Sequence, residues 1–119
     1  MTLTDAEKTR LLAEGVMGWG WNTSTRTWMV VEDGESCHVE DEHWSPVTNE
    51  SHAAEVRERM RELGWWWEIL TSDTRDHIAL EHRLKGVQVT AGKVAPGAIP
   101  RGICHAALLA LGLAKEEEL

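Results

Sequence analysis

The chain has no phenylalanine, no tyrosine, two cysteines and three prolines, and it contains no long apolar run. Each shortage excludes something. Without Phe or Tyr, every aromatic contact in the core, and any stacking on a flat ligand, falls to the seven tryptophans. Without a stretch of about 20 apolar residues, no transmembrane helix is predicted, and no signal peptide is visible at the N-terminus. In the cytosolic compartment this suggests, Cys37 and Cys104 are expected as reduced thiols rather than a disulfide. Positive charge is also scarce: 12 Lys and Arg stand against 20 Asp and Glu, for a net charge of −8. That argues against a general binder of nucleic-acid polymers, which needs a basic surface to neutralise phosphates. It leaves room for a small anionic ligand held by a few local cationic side chains.

Catalytic signatures are missing as well. There is no Gly-x-Ser-x-Gly elbow and no Gly-x-x-x-x-Gly-Lys-Ser/Thr phosphate loop. Cys37, His38, His43, His52, Cys104 and His105 include the ligand types zinc favours, but no Cys-x-x-Cys or His-x-x-x-His spacing joins them. Neighbours such as Cys37–His38 and Cys104–His105 point apart in regular structure, so neither pair reads as a nucleophile with its base. No metal, no cofactor and no catalytic residue is expected, and Cys104 is read as a small core side chain.

What is present is the pattern of a globular domain, with 42% hydrophobic and 27% charged residues over 119 positions. Residues 1–119 are read as one domain. Thr4-Asp5-Ala6-Glu7 forms a capping box that opens a helix to about Met17. Leu12 and Val16 lie on its buried side, and Glu7, Lys8, Arg10 and Glu14 in solvent. Trp21 to Arg26 reads as a turn and Arg26 to Val31 as a short strand, with Trp19 and Trp21 opposite. Residues 32–43 are polar and read as one long connection. Thr48 or Asn49 caps a second helix, running to about Leu63 with Ala53, Val56, Met60 and Leu63 on one face. Gly64 stops it.

Trp65 to Thr71 then carries large apolar groups on both faces, the mark of a central strand covered above and below. Ser72 to Asp76 suggests a hairpin connection, His77 to Leu84 an alternating strand, Lys85-Gly86 a second turn and Val87 to Thr90 a third strand. The middle of the chain is therefore predicted as an antiparallel meander, followed by a linker from Gly92 to Gly97. A last helix begins near Ala98 and is apolar almost all round from Ile103 to Leu111. That apolarity suggests deep burial or a homo-oligomeric interface. Gly112 ends it, and Lys115 to Glu118 reads as a solvated tail.

Three segments resemble a known family. Glu14-Gly15-Val16-Met17-Gly18-Trp19 is similar to the "E-K-V-M-G-W" block of the phage ABA sandwich domain proteins. Ile99-Pro100-Arg101-Gly102-Ile103-Cys104-His105-Ala106-Ala107-Leu108 resembles that family's "A-P-x-A-I-C-x-A-A-L" helix. Trp44-Ser45-Pro46-Val47-Thr48-Asn49, with Gly64-Trp65 further on, resembles its "W-x-P-S-T-D … G-W" block. Gly15 departs from the usual Lys, Val47 from Ser and Asn49 from Asp; the last change keeps helix capping but removes a charge. The resemblance implies a small layered fold of phage or prophage origin and brings no catalytic residues with it.

The fold expected is α+β, a layered α/β sandwich in which an antiparallel sheet of about three to five strands is packed by three helices. The expected role is a non-enzymatic accessory protein of the host bacterial cytosol, binding a small nucleotide-derived ligand as an anti-defence sponge. The alternative is an acidic module that binds a host protein or mimics DNA. Trp44, Trp66, Arg75, Arg83 and Lys85 are the candidate ligand-binding residues. Indoles stack on nucleobases, and cations near the meander turns can hold phosphates.

Overall fold

The computed structural model describes residues 2–32, 35–40, 43–71, 76–82, 88–94 and 99–119. The order is α1 (Asp5–Gly15), β1 (Gly20–Asn22), β2 (Thr27–Glu32), β3 (Glu35–Glu40), α2 (Glu50–Glu62), β4 (Trp65–Thr71), β5 (Asp76–His82), β6 (Gln88–Val94) and α3 (Ile99–Ala110). The strands form two antiparallel three-stranded sheets, β1-β2-β3 and β4-β5-β6. Helices and sheets share one hydrophobic core, so the architecture is the layered α+β sandwich that the sequence predicts.

Local chemistry explains the helix ends. The Thr4 hydroxyl accepts from the Glu7 amide and the Glu7 carboxylate accepts from the Thr4 amide, each at 3.1 Å, which closes the capping box. Asn49, rather than Thr48, caps α2 through the His52 amide. Gly64 follows with φ of 98°, a left-handed conformation that only glycine adopts without strain. It turns the chain directly into β4. α3 closes with the Gly112 amide on the Leu109 carbonyl and the Leu113 amide on the Leu108 carbonyl, the paired bonds of a Schellman stop.

The core is built largely from tryptophan and the third helix. Trp28 is fully buried, and Trp44 and Trp65 nearly so. Cys104, Ala106, Ala107 and Leu108 of α3 have no exposed surface, because α3 packs between α2, α1 and sheet β4–β6. That face of α3 is thus satisfied inside the domain, while Leu109, Ala110 and Leu111 stay half-buried. Cys104 packs as the small hydrophobe expected of it, and burial pushes its thiol up to about 12, against the opposing pull of Arg101 and Lys8.

Six expectations are corrected. β4 is an edge strand, and β5 is the central one. The contiguous run Ile78-Ala79-Leu80 of β5 is buried on both faces, whereas Trp66 of β4 is 52% exposed. Residues 35–40, expected within a loop, pair with β2 as β3. Their polarity hid a strand whose ladder partners are backbone groups. β6 continues through Gly92 to Val94, where a linker was expected; the register slips by one residue at Ala91 of β6, opposite Ile78 and Ala79 of β5, a bulge beside the glycine. Lys8, expected in solvent, is 2% exposed, while Leu63, expected on the buried face of α2, is 39% exposed. The residues after Lys115 form a short 3₁₀ turn, and the Leu3 amide donates to the Glu118 carbonyl at 2.7 Å, so the tail docks onto the N-terminal segment. The connections predicted at Ser72–Arg75 and Lys85–Gly86 lie outside the described residues.

Candidate functional site

A recess of about 540 Å³ opens where the exposed side of α1 meets the β1–β2 hairpin, lined by Arg10, Trp21, Thr23 and Arg26. Its floor is an indole pair. Trp21 and Trp28 are direct partners in the β1–β2 register, and their rings meet edge-on with centroids 4.9 Å apart. Trp28 is sealed in the core, so it fixes Trp21, which stays half-buried with surface toward the recess. The Arg10 guanidinium sits over the Trp21 ring at 5.3 Å, a cation–π contact that holds a flexible side chain in place.

The opposite wall comes from the hairpin loop. The Asn22 side-chain oxygen accepts from the Ser24 and Thr25 amides at 3.0 and 3.4 Å, an Asx turn that folds the loop locally. The Thr25 and Thr27 hydroxyls bond at 2.6 Å, and Thr27 reaches His38 Nδ1 on β3 at 2.9 Å. The last loop residue, Arg26, has φ of 55° and is the one non-glycine in the left-handed region among the described residues. Hairpin loops of this length favour glycine or asparagine there, and a long side chain costs about 1 kcal/mol or more. Arg26 is exposed and lines the recess together with Arg10. Among the described residues no carboxylate lines the recess, although acidic residues outnumber basic ones 20 to 12 in the chain.

A planar guanidinium binds phosphate or carboxylate in a bidentate manner and stacks on flat rings. Two of them, with an indole and the Thr23 hydroxyl, form a site for a small ligand that is flat at one end and anionic at the other. The volume lies within the range of ordinary ligand sites.

The residues singled out from the sequence fall elsewhere. Trp44 is buried, with its indole N–H donating to the Glu55 carboxylate at 2.9 Å and its ring packed on Trp19 at 4.6 Å. Trp66 stands exposed on the outer face of sheet β4–β6, so the two indoles do not share a surface. Arg75, Arg83 and Lys85 lie outside the described residues. Arg10 and Trp21 were missed because each had a bland reading, as solvated helix face and as strand. The available signal was Arg26, a long cation in a turn position that favours glycine or asparagine.

A second polar cluster joins α1 to α3. The Arg101 guanidinium clasps the Asp5 carboxylate through two bonds of 2.9 and 3.0 Å, which holds Asp5 below the usual carboxylate range. The buried Lys8 ammonium lies 3.0 Å from His105 Nε2. Burial, followed by the nearby Lys8 and Arg101 cations, lowers His105 to about 4. At neutral pH its imidazole is therefore uncharged, and Nε2 accepts the lysine proton donor. This cluster locks two helices together, and the buried Lys8 has no path to a substrate. Two further histidines are also engaged: His52 Nδ1 accepts from the Ser45 amide at 2.9 Å, and the His82 ring stands edge-on to Trp65 at 5.0 Å.

Comparison with curated proteins and with solved structures returned no match. The sequence profile of the phage ABA sandwich domain, by contrast, aligns with residues 10–108, from the middle of α1 to the last turns of α3. The chain belongs to the phage ABA sandwich domain family.

Proposed function

We propose that this phage-family protein is a non-enzymatic binding module that sequesters a small nucleotide-derived signal, in the manner of an anti-defence sponge. The observation that carries the reading is the Arg10–Trp21–Thr23–Arg26 recess: a carboxylate-free pair of guanidiniums beside an indole, on a chain of net charge −8. A base or other flat ring stacks on the guanidinium–indole pair, and a phosphate is held between Arg10 and Arg26. The strained backbone at Arg26 supports a binding role, because residues held in sparsely populated conformations cluster at functional sites. Among the described residues the recess is lined by two guanidiniums, an indole and a threonine hydroxyl with no base beside it, which favours holding a ligand over converting it.

The test is depletion. Purified protein is mixed with cyclic dinucleotides or cyclic ADP-ribose isomers and filtered, and the filtrate is assayed before and after heating. The expected result is loss of one ligand class from the filtrate and return of the same intact molecule on denaturation. Return of an altered molecule would assign an enzyme, and no depletion of any of them would end the sponge reading.

A further inference from the structure

Sheet β4–β6 ends at β4, which pairs only with β5 among the described residues. An edge presents a row of backbone N–H and C=O groups that templates one more strand, and natural proteins commonly blunt it with charged side chains, proline or a bulge. β4 has a single charge, Glu68, and neither proline nor a bulge. It runs Trp-Trp-Trp-Glu-Ile-Leu-Thr, and its register with β5 is unbroken from Trp65 opposite His82 to Thr71 opposite Asp76.

The edge also has a recognition surface. Trp66 is the most exposed of the large apolar side chains described, at 52%, and borders a recess of about 220 Å³ with Glu58, Arg61, Glu62 and Trp65. On the same sheet face Glu81 lies directly opposite Trp66, and Glu68 lies two residues along. Both carboxylates are exposed, and neither has an ion-pair partner among the described residues. Glu58 and Glu62, by contrast, are held by Arg61 and Arg59 at 3.2 and 3.0 Å.

These charges select the occupant. A second copy of the chain would bring the same uncompensated carboxylates, and another net charge of −8, against themselves. A basic strand meets them with opposite sign. We propose that the free edge of β4 accepts an extended, basic segment of a partner protein as a fourth strand, with one arginine or lysine laid over Trp66 between Glu68 and Glu81. Backbone bonds to β4 supply affinity, and the indole and carboxylates supply the preference for a cation at alternate positions. This surface is separate from the Arg10–Trp21 recess and does not depend on it.

Two capped decapeptides of alternating arginine and valine provide the test, one with an ordinary backbone and one N-methylated at every second residue. Charge is the same; only the first can pair as a strand. The full chain is expected to bind the ordinary peptide at least about tenfold more tightly, since the methylated one forfeits the ladder. Hydrogen exchange at the amides of Trp65–Thr71 slows on binding. Trp66→Ala and the Glu68→Lys/Glu81→Lys double variant change exposed side chains, and with native far-UV circular dichroism each is expected to weaken binding about fivefold or more. Equal affinity for the two peptides would reduce the surface to diffuse charge attraction and overturn the proposal. Absence of binding, or protection appearing on another strand, would overturn it too. Concentration-dependent protection of β4 without peptide would identify a second copy as the occupant.

Discussion

Two tryptophans at sheet margins, Trp21 and Trp66, sit in opposite electrostatic settings. Trp21 rests on the buried Trp28 and is flanked by Arg10 and Arg26, with no carboxylate on the wall. Trp66 stands over the exposed carboxylates of Glu81 and Glu68, with Glu58, Glu62 and the Arg61 that pairs with Glu58 nearby. The same ring faces anions in one place and cations in the other. A net charge of −8 therefore describes neither region, since partner selection is decided within a Debye length, about 8–10 Å at ordinary ionic strength. The regions also differ in support: Trp21 is held by a fully buried neighbour, and Trp66 lies on an open edge.

The contrast in support predicts the largest effect. Trp28→Ala removes a fully buried indole beneath Trp21 and is expected to cost about 3–5 kcal/mol in denaturant unfolding. Trp66→Ala, on the exposed face, is expected to stay within about 0.5 kcal/mol of the parent. A comparable loss for both would mean that Trp66 is structural. Next comes charge. Arg10→Glu/Arg26→Glu should abolish depletion of a nucleotide ligand, a loss of about 100-fold or more for two charge-assisted phosphate contacts, while native circular dichroism persists. Undiminished capture would place the ligand elsewhere.

The α1–α3 lock predicts a pH effect. His105 is lowered to about 4 in the fold, below the ordinary 6.5 that applies in the unfolded chain. Its contribution is therefore fully present above pH 6.5 and is lost as pH falls through about 4, because the unfolded state takes up the proton first. The melting temperature should fall over that window, and His105→Gln, which keeps an acceptor but cannot titrate there, should flatten the profile. An unchanged profile in the variant would assign the acid sensitivity to other groups.

The smallest effect is the most discriminating. Arg26→Gly relieves the left-handed strain at φ of 55° and is expected to raise stability by about 0.5–1 kcal/mol while weakening ligand capture about tenfold. A variant that is both more stable and poorer at binding is what a residue retained for function produces. If stability falls instead, Arg26 is there for the hairpin.

Much of the fold was legible because it is written in short-range chemistry. The Thr4–Glu7 box, the Asn49 cap, the stop at Gly64 and the β4–β5–β6 meander all depend on residues within a few positions of one another or on simple alternation. β3 was not legible, since a polar strand satisfied by backbone pairing carries no hydrophobic period. The position of β4 at the edge was also hidden. Three tryptophans in a row state the amount of apolar surface but not which neighbour covers it. The candidate site was half visible, in the turn at Trp21–Arg26, and half invisible, in the approach of Arg10 from a separate helix.

Sequence alone determined the three helices, the antiparallel meander, the exclusive use of indole for aromatic contacts, and membership of the phage ABA sandwich domain family. Those follow from local propensities and motif spacing, which the linear order preserves. Only the tertiary structure decided that Lys8 is buried against His105, that Trp44 belongs to the core, and that Arg10, Trp21 and Arg26 meet around one recess. Burial and charge proximity are properties of pairs of elements, and no single segment contains them.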